Sequence, residues 1–294
     1  MSVFASVFLA LATVVLPLTT AGAPQHESTV YATVLDKAGV PVTTLSTTDF
    51  LVREDGVDRE VLRAATATEP LRIAVLVDTS QRIDRHVSEI RGALRSFFTS
   101  MQGQHDIALY EFGERPALLV PYTRDPDLLE AGVGRVFARH GSGAYLLDAI
   151  IDAARGLRGA ESVRPVIVVI TTQGSEFSNR YHETVLKELS ASHATLHAFV
   201  LDRRSAFPLS DGAREREYTL AEGARVSGGR QEHLLTAMAL SDRLQSLSRE
   251  LKEQYRVDYA RSAALIQPRT LALTVRNSRL TVRAARVPTS ATGR

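Results

Sequence analysis

The sequence predicts a doubly wound α/β domain with a mostly parallel sheet, accompanied by a small β-sandwich formed by the N- and C-terminal segments. Two continuous apolar runs, LRIAVLV at 71–77 and VIVVIT at 166–171, have the length and composition of strands covered on both faces. Amphipathic helical segments alternate with these strands, as is typical of a parallel sheet. Strand patterns without helices occupy both ends of the chain, and they predict the sandwich.

The region 28–68 is predicted to be a β segment. Val30, Ala32 and Val34 alternate with polar residues, as in a half-buried strand. The sequence EDG at 54–56 follows a short apolar run and has the composition of a hairpin turn. The segment carries too little apolar surface to fold alone, so we expect it to need partner strands.

The region 70–253 is the predicted α/β domain. A helix at 83–101 follows the first strand and has its apolar residues on one stripe. The strand at 117–123 is assigned to an edge of the sheet, because Pro121 cannot donate a hydrogen bond to a neighbouring strand. The other predicted elements are strands at 106–112, 166–171, 195–201 and near 234–235, and helices at 126–137, 145–157, 180–190, 213–224 and 236–253.

The region 254–288 returns to strands. Segments 255–260, 270–276 and 280–287 have strand composition, and Asn277-Ser278 forms a turn between the last two. The simplest arrangement pairs these strands with the N-terminal β segment, so that two incomplete halves form one sandwich beside the α/β domain.

The first 23 residues differ from the rest of the chain. They contain no charged side chain, and an apolar run at 3–16 is followed by Ala21-Gly22-Ala23, which resembles a cleavage site. This pattern predicts a secretory signal peptide at 1–23 and therefore a periplasmic or extracellular protein. An uncleaved anchor is the alternative, although the run is short for a membrane span. We expect no stable membrane span after removal of the signal peptide.

Composition excludes several classes of function. The chain has 35 basic and 33 acidic side chains and a formal net charge of +2, a balance that gives no support for nucleic-acid binding. It contains no cysteine, which excludes disulfides, thiolate nucleophiles and cysteine–zinc sites.

Ligands of open parallel α/β sheets bind beyond the carboxyl ends of the strands. Three predicted loops, 78–82, 140–144 and 171–174, meet at this edge. Their sequences, IAVLVDTSQR followed by a helix, GSGAYLLDAI and VIVVITTQG, resemble the three metal-loop segments of a von Willebrand factor type A domain. The flanking sequences VYATVLDKAGVPVTTLSTTDFLVREDG and QYRVDY resemble one bacterial subgroup of that family. The resemblance covers nearly all of the mature chain and implies protein–protein adhesion or assembly.

Family members commonly hold Mg²⁺ or Mn²⁺ through an Asp-x-Ser-x-Ser corner, a Thr from the second loop and an Asp from the third. Asp78 and Ser80 match this pattern, but Arg82 replaces the second Ser, Ala144 the Thr and Gln173 the Asp. The resemblance therefore implies a degenerate metal-ion-dependent adhesion site without a cofactor. Binding of Mg²⁺ or Mn²⁺ at Asp78 and Ser80 is the alternative.

Arg82 suggests a more specific hypothesis. Its guanidinium could pair with Asp78 and replace the metal with a cation of the chain itself. Alternatively, Arg82 points to solvent from the start of its helix.

Other motifs give weaker indications. His193 and His197 are four residues apart, but His197 lies in a predicted strand, so we interpret the two as packed or surface residues. No nucleophile–base pair is visible in the sequence, and a hydrogen bond between His140 and Ser80 in the structure would favour a catalytic role. We therefore expect an exported, non-catalytic protein-binding module with an unidentified protein partner. The alternatives are a structural envelope scaffold that uses other surfaces and a metal-dependent adhesion protein.

Overall fold

A computed structural model describes residues 25–159, 164–201, 210–262 and 268–286. The predicted signal peptide at 1–23 lies outside these residues. The strands are β1 Gln25–Leu35, β2 Phe50–Glu54, β3 Val57–Arg59, β4 Val61–Thr66, β5 Leu71–Val77, β6 Asp106–Glu111, β7 Ala117–Thr123, β8 Arg164–Thr172, β9 Thr195–Leu201, β10 Arg230–Leu234, β11 Tyr255–Ser262, β12 Leu271–Val275 and β13 Thr281–Ala284. The helices are α1 Val87–Ser100, α2 Pro126–Gly134, α3 Leu146–Leu157, α4 His182–Ser192, α5 Asp211–Ser227 and α6 Ala239–Lys252.

Six strands form the central sheet in the order β10-β9-β8-β5-β6-β7. All neighbours are parallel except β6 and β7, which are antiparallel. The edge position predicted for the strand containing Pro121 is confirmed, and so is the mostly parallel α/β fold. The two most apolar strands, β5 and β8, lie side by side in the centre.

Helices cover both faces of this sheet. Val75 of β5 belongs to a core shared with α1, α2 and α6, whereas its neighbour Leu76 belongs to a core shared with α3, α4 and α5. Successive strand residues point to opposite faces, so both must be apolar when both faces are covered. This packing explains why the sequence of β5 shows no alternation.

Two helix boundaries differ from the prediction. The helix expected from Ile83 begins as a 3₁₀ segment, Gln81–His86, and becomes α-helical only at Val87. The helix expected to reach 137 ends at Gly134, where Arg135 N–H bonds the carbonyl of Gly132. Two glycines in the last turn weaken the helix at that point.

Strands from both sides of the α/β domain form the sandwich. One sheet has the order β13-β1-β11-β4 and the other the order β12-β2-β3, and a shared core includes Val30, Phe50, Tyr255 and Leu273. Strands from 25–66 therefore pair with strands from 255–284, as predicted, although β1 begins at residue 25 rather than 28. Asp55 and Gly56 have φ values of +48° and +81°, which suit the predicted hairpin turn between β2 and β3.

A buried ionic cluster joins the sandwich to the α/β domain. Glu250 of α6, 1% exposed, pairs with Arg230 of β10 at 2.7 Å and with Arg283 of β13. Nearby, Arg164 of β8 donates to the carbonyl of Leu251 at 2.8 Å. The Glu250–Arg283 pair fixes β13 against α6, and the Arg164 contact fixes the end of α6 to β8.

Among the described residues, no helix combines the length and the apolar character needed to cross a membrane.

Candidate functional site

Three loops meet at the carboxyl edge of the sheet. The loop after β5 is joined to the loop before α3 by a bridge between Ser80 and Arg139, and that second loop is joined to the one after β8 by a bridge between Ala144 and Glu176. A cavity of about 440 Å³ lies between them. Asp78, Ser80, Arg82 and Ala144 line it, whereas Gln173, the fifth predicted residue, is not among the lining residues.

Asp78 is fully buried, and both carboxylate oxygens accept hydrogen bonds. Oδ1 accepts from the Ser80 N–H at 2.8 Å. Oδ2 accepts from the Thr171 hydroxyl at 3.0 Å, the Thr172 N–H at 3.2 Å and the Thr172 hydroxyl at 3.1 Å. These bonds connect the end of β5 to the end of β8, so Asp78 holds two loops of the site together.

Arg82 is exposed, and no ion pair joins it to Asp78 within the ranges that the structure describes. Its side chain lies across Gly174: a Cβ at that glycine would be 2.7 Å from Cδ of Arg82 and 2.9 Å from Nε. The hypothesis of an Arg82–Asp78 pair therefore differs from the structure. Arg82 follows the wall of the cavity toward solvent because the adjacent loop has no side chain at residue 174.

The cation that faces Asp78 is Arg216 of α5, a residue not predicted from the sequence. Arg216 is 5% exposed and lines the cavity, and its guanidinium donates to the carbonyls of Thr172 and of Gly174, the latter at 3.4 Å. Burial lowers the pKa of Arg216, and the charges of Asp78 and Glu176 oppose this effect. An arginine nevertheless stays protonated at neutral pH.

The sequence does contain a signal for this residue. Arg216 lies four residues before Leu220 and seven before Gly223, and all three are buried on one face of α5. The surrounding sequence, RERE at 214–217, has the composition of a solvated surface. Its charges gave no indication that Arg216 lies on the buried face of the helix.

Glu176 is a second missed residue. It is 9% exposed, and its carboxylate accepts from the N–H groups of Leu146 at 3.3 Å, Leu147 at 3.4 Å and Ser178 at 3.1 Å. It thus caps the N-terminus of α3 from another loop. Burial is the main reason that the pKa of Glu176 is raised, and its hydrogen bonds partly offset this effect.

Phe177 separates the Asp78 cavity from a neighbouring cavity of about 520 Å³. The ring packs directly over Gly143, where a side chain would collide with it, and the residue is 55% exposed. The neighbouring cavity contains the ion pair between Arg139 and Glu111, at 2.5 Å. An exposed aromatic ring therefore stands between two polar cavities.

The side chains of the Asp78 cavity do not fit a divalent cation. Mg²⁺ requires near-octahedral oxygen coordination, in which a few protein oxygens are supplemented by water. Of the five positions suggested by the resemblance, Asp78 and Ser80 offer oxygens to the cavity, and the Asp78 carboxylate is already engaged. Gln173 has an amide oxygen but is not among the residues that line the cavity. Ala144 has no ligand atom, and two guanidinium groups, those of Arg82 and Arg216, line the same space.

The other sequence candidates do not come together as a site. His193 ends α4 with a φ of +55°, whereas His197 is buried in β9. In the described parts of the chain, no hydrogen bond connects His140 to Ser80, the contact that would have favoured a catalytic role. A group not foreseen from sequence, His182, Glu183 and Glu215, brings three potential ligand atoms within 4.8 Å of one another. Its His182 Nδ1 and Glu215 Oε2 are 2.7 Å apart and already paired.

Comparison with known protein families and solved structures identifies the same fold. The family model described as von Willebrand factor type A domain matches residues 73–175. No curated protein sequence matches the chain at a significant level. A von Willebrand factor type A protein from Catenulispora acidiphila has 11% identity and a TM-score of 0.52, with coverage of 92% of this chain and 74% of that one.

A second similar structure is proximal thread matrix protein 1 from the mussel byssus, solved with a zinc-occupied metal-ion-dependent adhesion site. It has 12% identity and a TM-score of 0.54, with coverage of 68% of this chain and 50% of that one. At such identities the likeness concerns the fold alone. The family model and the sheet order lead to one conclusion: residues 73–175 belong to a von Willebrand factor type A domain, which is flanked by a β-sandwich of strands from 25–66 and 255–284.

Proposed function

We propose that the protein is an exported, non-catalytic protein-binding module whose contact surface is the carboxyl edge of the sheet and which works without a divalent cation. Von Willebrand factor type A domains are commonly binding or adhesion modules and are typically non-catalytic. The observation that carries the proposal is the cavity itself, where the acid expected to hold a metal, Asp78, is bonded to its own loops and faces Arg216.

Exposed apolar side chains support the choice of surface. Phe137 and Phe177 are 48% and 55% exposed, and Leu235 and Met238, which follow the carboxyl end of β10, are 74% and 79% exposed. Large apolar side chains grouped with cationic side chains at one edge are typical of a protein interface. Such an interface requires only complementary side chains, so loss of the metal ligands leaves it intact.

Export rests on the sequence of residues 1–23, which lie outside the described part of the chain. Their uncharged, apolar composition supports secretion into the periplasm or the medium.

Affinity capture tests this proposal. The mature chain, beginning at residue 24, is immobilised and exposed to an envelope fraction in the presence of EDTA. We expect a protein partner to be captured by the wild type and lost in the double variant Arg82→Ala, Phe177→Ala. The matched control, Leu62→Ala with Arg279→Ala, removes one exposed apolar residue and one exposed arginine from the sandwich and should capture as the wild type does.

Two outcomes contradict the proposal. If the cavity variant captures normally and the sandwich variant does not, the protein is a scaffold that uses its flanking strands. If capture occurs only after Mg²⁺ or Mn²⁺ is added, the metal-dependent alternative is correct.

A further inference from the structure

We propose that the Asp78 cavity binds a carboxylate of the partner directly on Arg82, with Arg216 as a fixed second cation. This inference rests on the proposed function, because it specifies the chemistry of the partner that the same surface recognises.

Charge is the first argument. Three charged side chains line the cavity: Arg82, Arg216 and Asp78. The oxygens of Asp78 are directed to Ser80, Thr171 and Thr172, so its hydrogen bonds remain within the loops. The lining therefore carries one more positive than negative charge. Glu176, which also acts on Arg216, lies outside the lining and is bonded to the N-terminus of α3, so the exposed face of the cavity, with Arg82, favours an anion.

Arg82 supplies the contact. It forms no ion pair within the described ranges, and its stem lies across Gly174, so the guanidinium is held at the wall of the cavity. A planar guanidinium can bind a carboxylate through two parallel N–H donors. Because the residue is exposed, a partner can reach it without opening the fold.

Arg216 has a different role. Its guanidinium already donates to the carbonyls of Thr172 and Gly174, and it is almost fully buried. It therefore acts through its charge, which offsets that of Asp78 and prevents Asp78 from repelling an incoming carboxylate. We regard it as a positioning residue.

Phe177 indicates what should lie beside the carboxylate. Its exposed ring stands at the rim of the same cavity, over Gly143. An apolar residue next to an acidic one would pack on this ring while the acid reaches Arg82. A volume of about 440 Å³ accommodates an Asp or Glu side chain together with its backbone.

The test is a ¹⁵N NMR titration of the mature chain in EDTA with three capped or partly capped peptides. Acetyl-Phe-Asp-Gly-amide offers a side-chain carboxylate, acetyl-Phe-Gly-Gly offers only a terminal one, and acetyl-Phe-Asn-Gly-amide offers none. We expect saturable shifts of the Arg82 Nε–H and of the Gly143 and Gly174 amides with a carboxylate peptide and none with the Asn peptide. The carboxylate peptide that binds more tightly shows whether the partner offers a side-chain or a C-terminal carboxylate.

Arg82→Gln should weaken binding about tenfold, the loss expected for one charge-assisted contact. Arg85→Gln is the matched control, because it removes an exposed arginine from the same 3₁₀ segment and should bind as the wild type does. Equal binding of the Asn peptide, unchanged binding by Arg82→Gln, or a requirement for Mg²⁺ would overturn the inference. If none of the peptides binds but partner capture is still lost in the Arg82, Phe177 double variant, the inference fails and the proposed function stands.

Discussion

At the scale of single residues, two buried charges of opposite sign, those of Asp78 and Arg216, define the candidate site. Asp78 and Arg216 come from positions 138 residues apart in sequence, and each is almost fully removed from solvent. A buried charge is costly unless other groups compensate it, and here four hydrogen bonds and an opposite charge do so. Of the described charged side chains that line the cavity, Arg82 is the exposed one.

Replacing the acid should therefore weaken the fold, whatever its role in binding. Asp78→Asn removes the charge that faces Arg216 and replaces one acceptor oxygen by a donor group, so we expect a loss of about 2–4 kcal/mol in the free energy of unfolding. Urea denaturation measures it. Asp84→Asn, an exposed acid in the following 3₁₀ segment, should change stability by less than about 0.5 kcal/mol. A loss no larger than that of the control would show that Asp78 is not structurally engaged.

His197 predicts a pH dependence. Burial, followed by the charges of Arg230 and Arg283, lowers the pKa of His197 well below its usual value, so the folded protein disfavours the protonated ring. The unfolded chain takes up this proton below a pKa of about 6.5, and stability should fall as the pH drops below that value. The slope contributed by this residue is at most about 1.4 kcal/mol per pH unit.

His197→Leu should remove this contribution. Both ring nitrogens lack a hydrogen-bond partner in the described residues, so the apolar variant should be at least as stable as the wild type at pH 7. Denaturation midpoints at pH 7 and pH 5 measure the change, and the exposed His26→Leu is the control. A variant that loses as much stability as the wild type between these pH values would contradict the assignment.

At the scale of elements, α3 depends on a residue from another loop. Tyr145, at its N-cap position, gives no side-chain hydrogen bond, and Glu176 supplies the acceptor instead. This contact also fixes the loop before α3 to the loop after β8, and both loops line the Asp78 cavity. A helix cap is thus part of the framework of the candidate site.

Glu176→Ala should reduce the free energy of unfolding by about 1–2 kcal/mol, since it leaves the first N–H groups of α3 without this acceptor. Glu176→Gln keeps an acceptor oxygen and should lose less. Because burial raises the pKa of Glu176, the neutral amide also avoids the cost of burying a charge at neutral pH. Hydrogen exchange of the Leu146 and Leu147 amides measures the local stability of the first turn of α3. Equal exchange rates in Glu176→Ala and Glu176→Gln would argue against capping by Glu176.

At the scale of the whole molecule, the two units are connected by buried charge as well as by the chain. Glu250 lies between Arg230 of the α/β domain and Arg283 of the sandwich. Arg230 also pairs with Glu232 at 2.7 Å, so removal of Glu250 chiefly leaves Arg283, the member from the sandwich, without its paired carboxylate.

Glu250→Ala should therefore destabilise the protein by about 3–5 kcal/mol and uncouple the units. Calorimetry of the wild type is expected to give one unfolding transition, and the variant two. Asp242→Ala, an exposed acid on the same helix, is the control and should keep the single transition. Two transitions in the wild type would show that the ionic cluster does not couple the units.

Periodicity and local turn chemistry determined the fold. The apolar runs of β5 and β8, Pro121 at the sheet edge and the turn at Asp55-Gly56 each carry their structural meaning within a few residues, because strand burial and backbone conformation are local properties. The positions of Asp78, Ser80, Arg82 and Ala144 around one cavity were implied by the resemblance to the von Willebrand factor type A family, in agreement with the rule that ligands of parallel sheets bind beyond the carboxyl ends of the strands.

Only the tertiary structure decided what faces Asp78. Arg216 and Glu176 reach the site through packing between elements distant in sequence. The sequence alone does not specify which of the four charged residues at 214–217 is buried. The free energy of a buried charge depends on all of its neighbours in space. The sequence by itself thus determined a von Willebrand factor type A fold, and the packing of α5 against the loops supplied the cation that stands opposite Asp78.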